Sequence, residues 1–288
     1  MPKALNIRGA EGEVFNTSTG RSFPLGTRMH TASGRVFRYA RAGAAAISAA
    51  RTVAQPQELP EAEIRNRLIS AATFVGANSL VIVYRTGTQI QANDYEDGLL
   101  YVNDGQGEGH IYPVSANAPM SIYDTTMTVH LDAPLQVRLD ATTSRVTLLK
   151  NRYTGLREAD APPTSPLAGV APVAVAANSY FWCQTGGPAA VLQQGPMEQY
   201  LPVAASRKRD GAVALAAVVI PSGSDDSRSR VGATGLAIAQ ALDTNAADVR
   251  ERLAPISGIG VLPDITIGYV LDPQDEGDEC LVHLQFEQ

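Results

Sequence analysis

The sequence predicts a mainly β protein with two β-sandwich or barrel-like domains, an extended N-terminal arm and one or two short helices. Short apolar runs of strand length, rich in β-branched and aromatic residues, recur along the chain. Turn residues such as Asp104-Gly105 separate these runs, and no long helical periodicity lies between them. A chain of 288 residues can also bury a substantial core without disulfides or metal.

One stretch, residues 166–192, is expected to form the centre of the fold. It holds the only tryptophan, Trp182, inside the densest aromatic cluster of the chain. Large aromatic side chains dominate the core that they enter. We expect a strand over residues 170–176 that runs into a turn at Ala177-Asn178. The aromatic strand then returns, and the glycine pair Gly186-Gly187 is expected to end it.

Residues 1–55 are expected to form an arm and a hairpin. Residues 1–25 are polar, and glycine and proline interrupt any periodicity, so the sequence predicts an extended arm. A short strand over residues 28–31, a turn at Ser33-Gly34 and a return strand over residues 35–40 predict the hairpin.

Residues 56–156 are expected to form the first β domain. Within it, residues 56–72 predict a helix, because Pro60 suits a first helical position and acidic residues follow in the first turn. Apolar residues also recur there at helical spacing. The predicted strands of this domain cover residues 79–84, 98–103, 110–114, 127–131, 136–139 and 145–149.

The proline-rich, polar segment 157–166 is expected to be the linker to a second β domain, residues 167–288. A second short helix is predicted over residues 241–255, which end at a proline. Besides the central strands, the predicted strands of this domain cover residues 203–205, 213–220, 231–239, 265–271 and 280–286.

The composition limits the kinds of molecule that the chain is expected to bind. The formal net charge of −6 predicts no broad affinity for nucleic acid. Charged residues make up 18% of the chain, which suits a surface partly covered by other chains, or a genome that favours alanine and glycine codons. No apolar run is long enough to cross a membrane, and the N-terminus has no signal-peptide core, so cytoplasmic synthesis is expected. Cys183 and Cys280 lie in apolar strand patterns and are expected to be buried free thiols.

Motifs that carry chemistry are missing from the sequence. The four histidines form no HxH, HxxxH or HExxH pattern, and no CxxC occurs, so no metal site or cofactor is predicted. No GxSxG motif occurs, and Cys183 lacks the flanking residues of known catalytic cysteines. We therefore predict no catalytic residues and no enzyme activity.

Several segments, taken in order, resemble capsid-associated structural proteins of tailed bacteriophages. The resemblance extends over about residues 26–286, and the chain departs from it in longer loops at residues 205–230 and 245–263. The similar segments are Gly26-Thr27, residues 34–43 (GRVFRYARAG), 98–112 (GLLYVNDGQGEGHIY), 146–153 (VTLLKNRY), 169–192 and 267–286.

This resemblance implies a virion protein, specifically a head decoration or cement protein. Such a protein binds the outer surface of the major capsid protein shell and stabilises it after synthesis in the host cytoplasm. The resemblance further implies a homo-oligomer, with a trimer or dimer expected. We predict that the arm and hairpin supply the contacts with capsid or subunit, through Phe23, Arg28, Arg35, Phe37, Arg38 and Tyr39.

Two alternatives remain open. One is a tail-fibre, receptor-binding or carbohydrate-binding virion module, which an exposed Trp182 beside Tyr180 would favour. The other is a glycosidase-like enzyme, which requires two carboxylates that face each other across a cleft.

Overall fold

A computed structural model describes residues 6–57, 65–84, 89–197, 199, 201–216, 266–275 and 278–286. The described chain is mainly β, with one short 3₁₀ helix at Glu13–Phe15. In these residues no helix is both long and apolar enough to cross a membrane.

The described strands are β1 (Asn6–Arg8), β2 (Arg28–His30), β3 (Val36–Arg41), β4 (Thr52–Pro56), β5 (Arg67–Leu68), β6 (Ser79–Val83), β7 (Leu99–Asp104), β8 (Ile111–Asn117), β9 (Thr126–Leu131), β10 (Arg145–Leu149), β11 (Leu156–Glu158), β12 (Gly169–Ala171), β13 (Tyr180–Leu192), β14 (Pro202–Ala205), β15 (Val213–Leu215), β16 (Gly268–Asp272) and β17 (Glu279–Gln285).

The chain divides into two compact units. The first, here called the barrel unit, comprises Met1–Ala4, Ser22–Thr27 and Glu58–Thr154. The second, here called the sandwich unit, comprises Leu5–Arg21, Arg28–Gln57 and Gly155–Gln288. The barrel unit is therefore largely an insertion in the sequence of the sandwich unit.

The barrel unit is a six-stranded antiparallel sheet in the order β5-β10-β7-β8-β9-β6. Its two end strands meet where Ile69 bridges Ile82, and Ser70 donates a backbone hydrogen bond to Val81 at 2.7 Å. The sheet is thus nearly closed into a barrel, an arrangement that leaves few unpaired strand edges.

Alternation along the strands builds the core of the barrel unit. In β7 the side chains of Leu100 and Val102 are fully buried, and their neighbours in sequence point outward. Five of the predicted strands are confirmed as β6 to β10. Residues 136–139 do not form a strand, since only Leu139 makes a bridge, with Thr73.

The sandwich unit is organised around β13, which confirms the predicted central position of the aromatic stretch. Its first half pairs with β3, and its second half pairs with β17. From there the sheet continues through β16 and β14 to β15, while β12 pairs with both β13 and β4. One cluster of buried apolar side chains in this unit comes from β4, β12 and β13 to β17.

The predicted end of the aromatic strand at Gly186-Gly187 is wrong. β13 continues to Leu192. Gly186 follows a register shift in the pairing with β3, and both glycines pair with β17. Gly187 has a φ of +77°, a conformation that costs glycine little. The glycines therefore let one long strand change partners there. The turn at Ala177-Asn178 is confirmed, with Asn178 at a φ of 59°.

The described part of the predicted N-terminal arm does not extend away from the chain. β1 pairs in parallel with β2, and Gly9 donates a backbone hydrogen bond to His30 at 3.0 Å. Val14 is fully buried, and Ser18 exchanges two backbone hydrogen bonds with Tyr180. These backbone hydrogen bonds and the buried Val14 side chain hold the segment against the sheet of the sandwich unit. The hairpin that follows is confirmed as β2 and β3.

The predicted helix over residues 56–72 is not helical in its described part. Arg67 and Leu68 pair with β10, and Ile69 is buried against the barrel core. Local helix propensity is weak, and here barrel closure outweighs it. The second predicted helix, residues 241–255, and the strand at residues 231–239 lie outside the described residues.

Residues 157–166, predicted as a linker, lie inside the sandwich unit, while the chain passes between the units at Thr154 and Gly155. Arg157 and Glu158 belong to β11, which pairs with β4. Prolines did not prevent this pairing, because they follow the strand rather than interrupt it.

Candidate functional site

Five of the six predicted contact residues lie on the β2–β3 hairpin or in its turn, and Phe23 precedes the hairpin in sequence. Phe37 is fully buried and Tyr39 is nearly so, so both belong to the core of the sandwich unit. Their prediction as contact residues needs correction, because Phe37 and Tyr39 alternate along β3 with half-buried residues and lie on its buried face. A side chain without exposed surface cannot make a first contact with a partner.

The other predicted contact residues, Phe23, Arg28, Arg35 and Arg38, are half-buried. Arg28 and Arg38 lie directly opposite each other on β2 and β3. Phe23 belongs to the segment of the barrel unit that precedes the hairpin.

Tyr39 takes part in an aromatic cluster across β3 and β13. Its ring stacks on Tyr180 at 5.6 Å between ring centroids and meets Trp182 edge-on at 5.0 Å. The Arg41 guanidinium lies 5.7 Å from the centroid of Tyr180. Trp182 is only 6% exposed, so it packs as a core residue. An exposed Trp182 was the observation that would have favoured the carbohydrate-binding alternative, and the burial of Trp182 does not provide it.

Arg35 is held by the N-terminal segment. Its guanidinium forms an ion pair with Glu11, and the Ser33 N–H donates to the same carboxylate at 2.9 Å. Hydrogen bonds from Arg35 and then Ser33 lower the pKa of Glu11 to about 2. This ion pair attaches the segment after β1 to the β2–β3 hairpin, so Arg35 stabilises a contact within its own chain.

An exposed apolar surface lies elsewhere, on the outside of the barrel unit. Leu149, Leu99 and Pro113 are directly opposite one another on β10, β7 and β8. Tyr101 and Ile111 form the next row on β7 and β8. We call these five side chains the outer apolar face.

Four of the five side chains of the outer apolar face are exposed, and the fifth, Tyr101, is half-buried. Leu99 is 40% exposed, Leu149 42% and Ile111 57%. Across the described residues, eight of the ten exposed large hydrophobic side chains belong to the barrel unit. Contiguous exposed apolar surface, unlike a single exposed leucine, is typical of a site where another molecule binds.

Sequence reasoning missed this face, although a signal was present. In both LLYVND and RVTLLK, two leucines are adjacent within one strand. Because successive side chains of a strand point to opposite faces, one of each pair must point outward. Leu100 and Leu148 fill the barrel core, which leaves Leu99 and Leu149 outside.

The titratable groups assemble no recognisable reactive centre in the described chain. Among its residues no group of three or more His, Cys, Asp and Glu side chains is placed to hold a metal ion. Cys183 and Cys280 are buried thiols and not disulfide-bonded, as predicted. Burial raises the pKa of the Cys280 thiol to about 11, and its sulfur donates to the Val191 carbonyl at 3.5 Å.

No family model matches the chain, and no curated protein or solved structure matches it.

Proposed function

We propose that this chain is a virion structural protein that decorates the head of a tailed bacteriophage, binding the outer surface of the major capsid shell and stabilising it. The observation that supports the proposal best is the outer apolar face. It offers an uncharged surface on hydrogen-bonded strands, and a rigid surface loses little conformational entropy when it binds.

The proposal assigns different roles to the two compact units. We propose that each is a domain, and that the barrel unit makes the contact with the shell through Leu99, Leu149 and Ile111. Copies of the chain assemble as a homo-oligomer, with a trimer proposed, as is common for proteins on symmetric lattices. The protein is made in the host cytoplasm and resides on the capsid surface.

Co-sedimentation with capsids assembled without this protein tests the proposal. Saturable binding that raises the temperature at which the capsids disrupt is the expected result. If the wild-type protein does not bind capsids, the decoration role is excluded, and a glycan array then tests the receptor-binding alternative.

A matched pair of variants tests the surface itself. Leu99→Asp places a charge on the outer apolar face and is expected to weaken capsid binding at least tenfold. Leu281→Asp is the control, since Leu281 is 38% exposed on β17 of the sandwich unit. If both variants lose capsid binding equally, or if neither variant loses it, the outer apolar face is not the surface that contacts the capsid. Circular dichroism of both variants is the control for correct folding.

A further inference from the structure

A polar cluster joins β4 and β11 to the proline-rich segment that follows β11. Its centre is the Asp160 carboxylate, which the Arg157 guanidinium contacts with two nitrogens at 2.7 and 2.5 Å. The Thr164 hydroxyl donates to the same carboxylate at 2.6 Å, and Gln55 Nε2 donates at 2.8 Å. Gln55 lies on β4, directly opposite Arg157 on β11.

Two buried polar atoms of this cluster have no hydrogen-bond partner among the described residues. One is the acceptor Oε1 of Gln55, a residue that is fully buried, and the other is the donor Nε of Arg157. Nearly all buried polar atoms in folded proteins are hydrogen-bonded to protein or to ordered water. An unmatched donor and an unmatched acceptor on directly opposed residues therefore point to one shared partner.

Turning the Gln55 amide over does not remove the problem. Nε2 already donates both to Asp160 and to Thr164 Oγ1, the latter at 3.0 Å. After a flip, Oε1 would face the Asp160 carboxylate, and two acceptors would oppose each other. The contacts around Asp160 thus fix which atom of Gln55 lacks a partner.

We infer that a single ordered water molecule binds between Arg157 Nε and Gln55 Oε1. Water is the smallest group that can accept from the guanidinium N–H and donate to the amide oxygen at once. Directly opposed residues of antiparallel strands have Cβ atoms about 5 Å apart, which brings both side chains within reach of one bridging molecule. The water completes the cluster and fastens the segment after β11 to β4.

A crystal structure of the full-length protein at about 1.5 Å resolution tests the inference. The expected result is a solvent peak within about 3.2 Å of both Arg157 Nε and Gln55 Oε1. A direct hydrogen bond between these two atoms would overturn it, as would a map in which no solvent lies between them.

The Gln55→Met variant provides the matched comparison. It removes the acceptor but keeps a side chain of similar length, so the bridging peak is expected to disappear while the Arg157–Asp160 pair stays. A peak that persists unchanged in Gln55→Met would mean that the water does not depend on Gln55, contrary to the inference. If this variant does not fold, the wild-type map decides the matter alone.

Discussion

At the residue scale, Glu11 connects the N-terminal segment to the β2–β3 hairpin. Its pKa of about 2 in the folded chain lies below the ordinary value for glutamate, because Arg35 and Ser33 donate hydrogen bonds to its charged form. A lowered pKa stabilises the fold above the unfolded pKa, and this contribution is lost as the pH falls towards 2.

We therefore predict that Glu11→Gln lowers the urea midpoint of unfolding slightly at pH 7, and that most of the difference from wild type is lost as the pH falls from about 4.5 to about 2. Glu13→Gln is the control, since Glu13 accepts the Ala10 N–H within its own turn. If the urea midpoints of Glu11→Gln and wild type differ as much at pH 2 as at pH 7, the lowered pKa of Glu11 is not the cause of the difference.

Cys280 gives a second prediction at this scale. At pH 8 a pKa of about 11 leaves roughly one thiol in a thousand ionised, against roughly one in four at an ordinary pKa of 8.5. In a Cys183→Ala variant, labelling of Cys280 by a disulfide reagent should be much slower in the native protein than in denaturant, because burial both disfavours the thiolate and restricts access to it. Comparable rates in the two states would show that this part of β17 opens readily.

At the element scale, the glycine pair of β13 allows one strand to serve two partners. Gly187 has a positive φ, and an added Cβ would lie 3.2 Å from both Arg35 Cα and Gly34 O. Both neighbours are backbone atoms, so they cannot yield as a flexible side chain would.

We predict that Gly187→Ala lowers the free energy of unfolding by about 1–3 kcal/mol, measured by chemical denaturation. Gly12→Ala is the comparison, because a Cβ at Gly12 meets no atom within 4 Å and its φ is −77°. If the two variants lose equal stability, the strained backbone at Gly187 is not the cause.

The elements that the sequence predicted well are those with a local signal. β7, β8 and β10 each carry a strand-length apolar run, and β17 shows regular alternation, so each could be recognised alone. β1 could not, because Asn6–Arg8 has no pattern and its parallel pairing with β2 depends on the folded hairpin. β5 could not be recognised either, because residues 67–68 form a strand only through their pairing with β10 as the barrel closes.

The same reasoning explains the candidate site. The arginines and aromatics of the hairpin were conspicuous in the sequence, but residue type does not reveal which face of β3 meets the core. Phe37 and Tyr39 lie on the buried face of β3, and the pairing of β3 with β13, a strand distant in sequence, is part of the fold that covers this face. The outer apolar face depends on register across β10, β7 and β8, which only the pairing of strands defines.

At the scale of the whole molecule, two features of the barrel unit favour folding on its own. Its sheet is nearly closed, and its core cluster is built from its own strands. The segment Ser22–Thr27 adds a few contacts: Leu25 donates its N–H to Asp97 at 2.8 Å, and its carbonyl accepts from Asn151 at 3.2 Å.

We predict that a fragment spanning residues 58–154 folds without the rest of the chain. Because the barrel core is complete in this fragment, thermal unfolding followed by circular dichroism should be cooperative, and the amide NMR spectrum should be well dispersed. The loss of the Leu25 contacts should cost stability without preventing folding. Leu100→Asp, which places a charge in the barrel core, should abolish the transition. A wild-type fragment without a cooperative transition would show that the barrel unit needs the remainder of the chain and is not a separate domain.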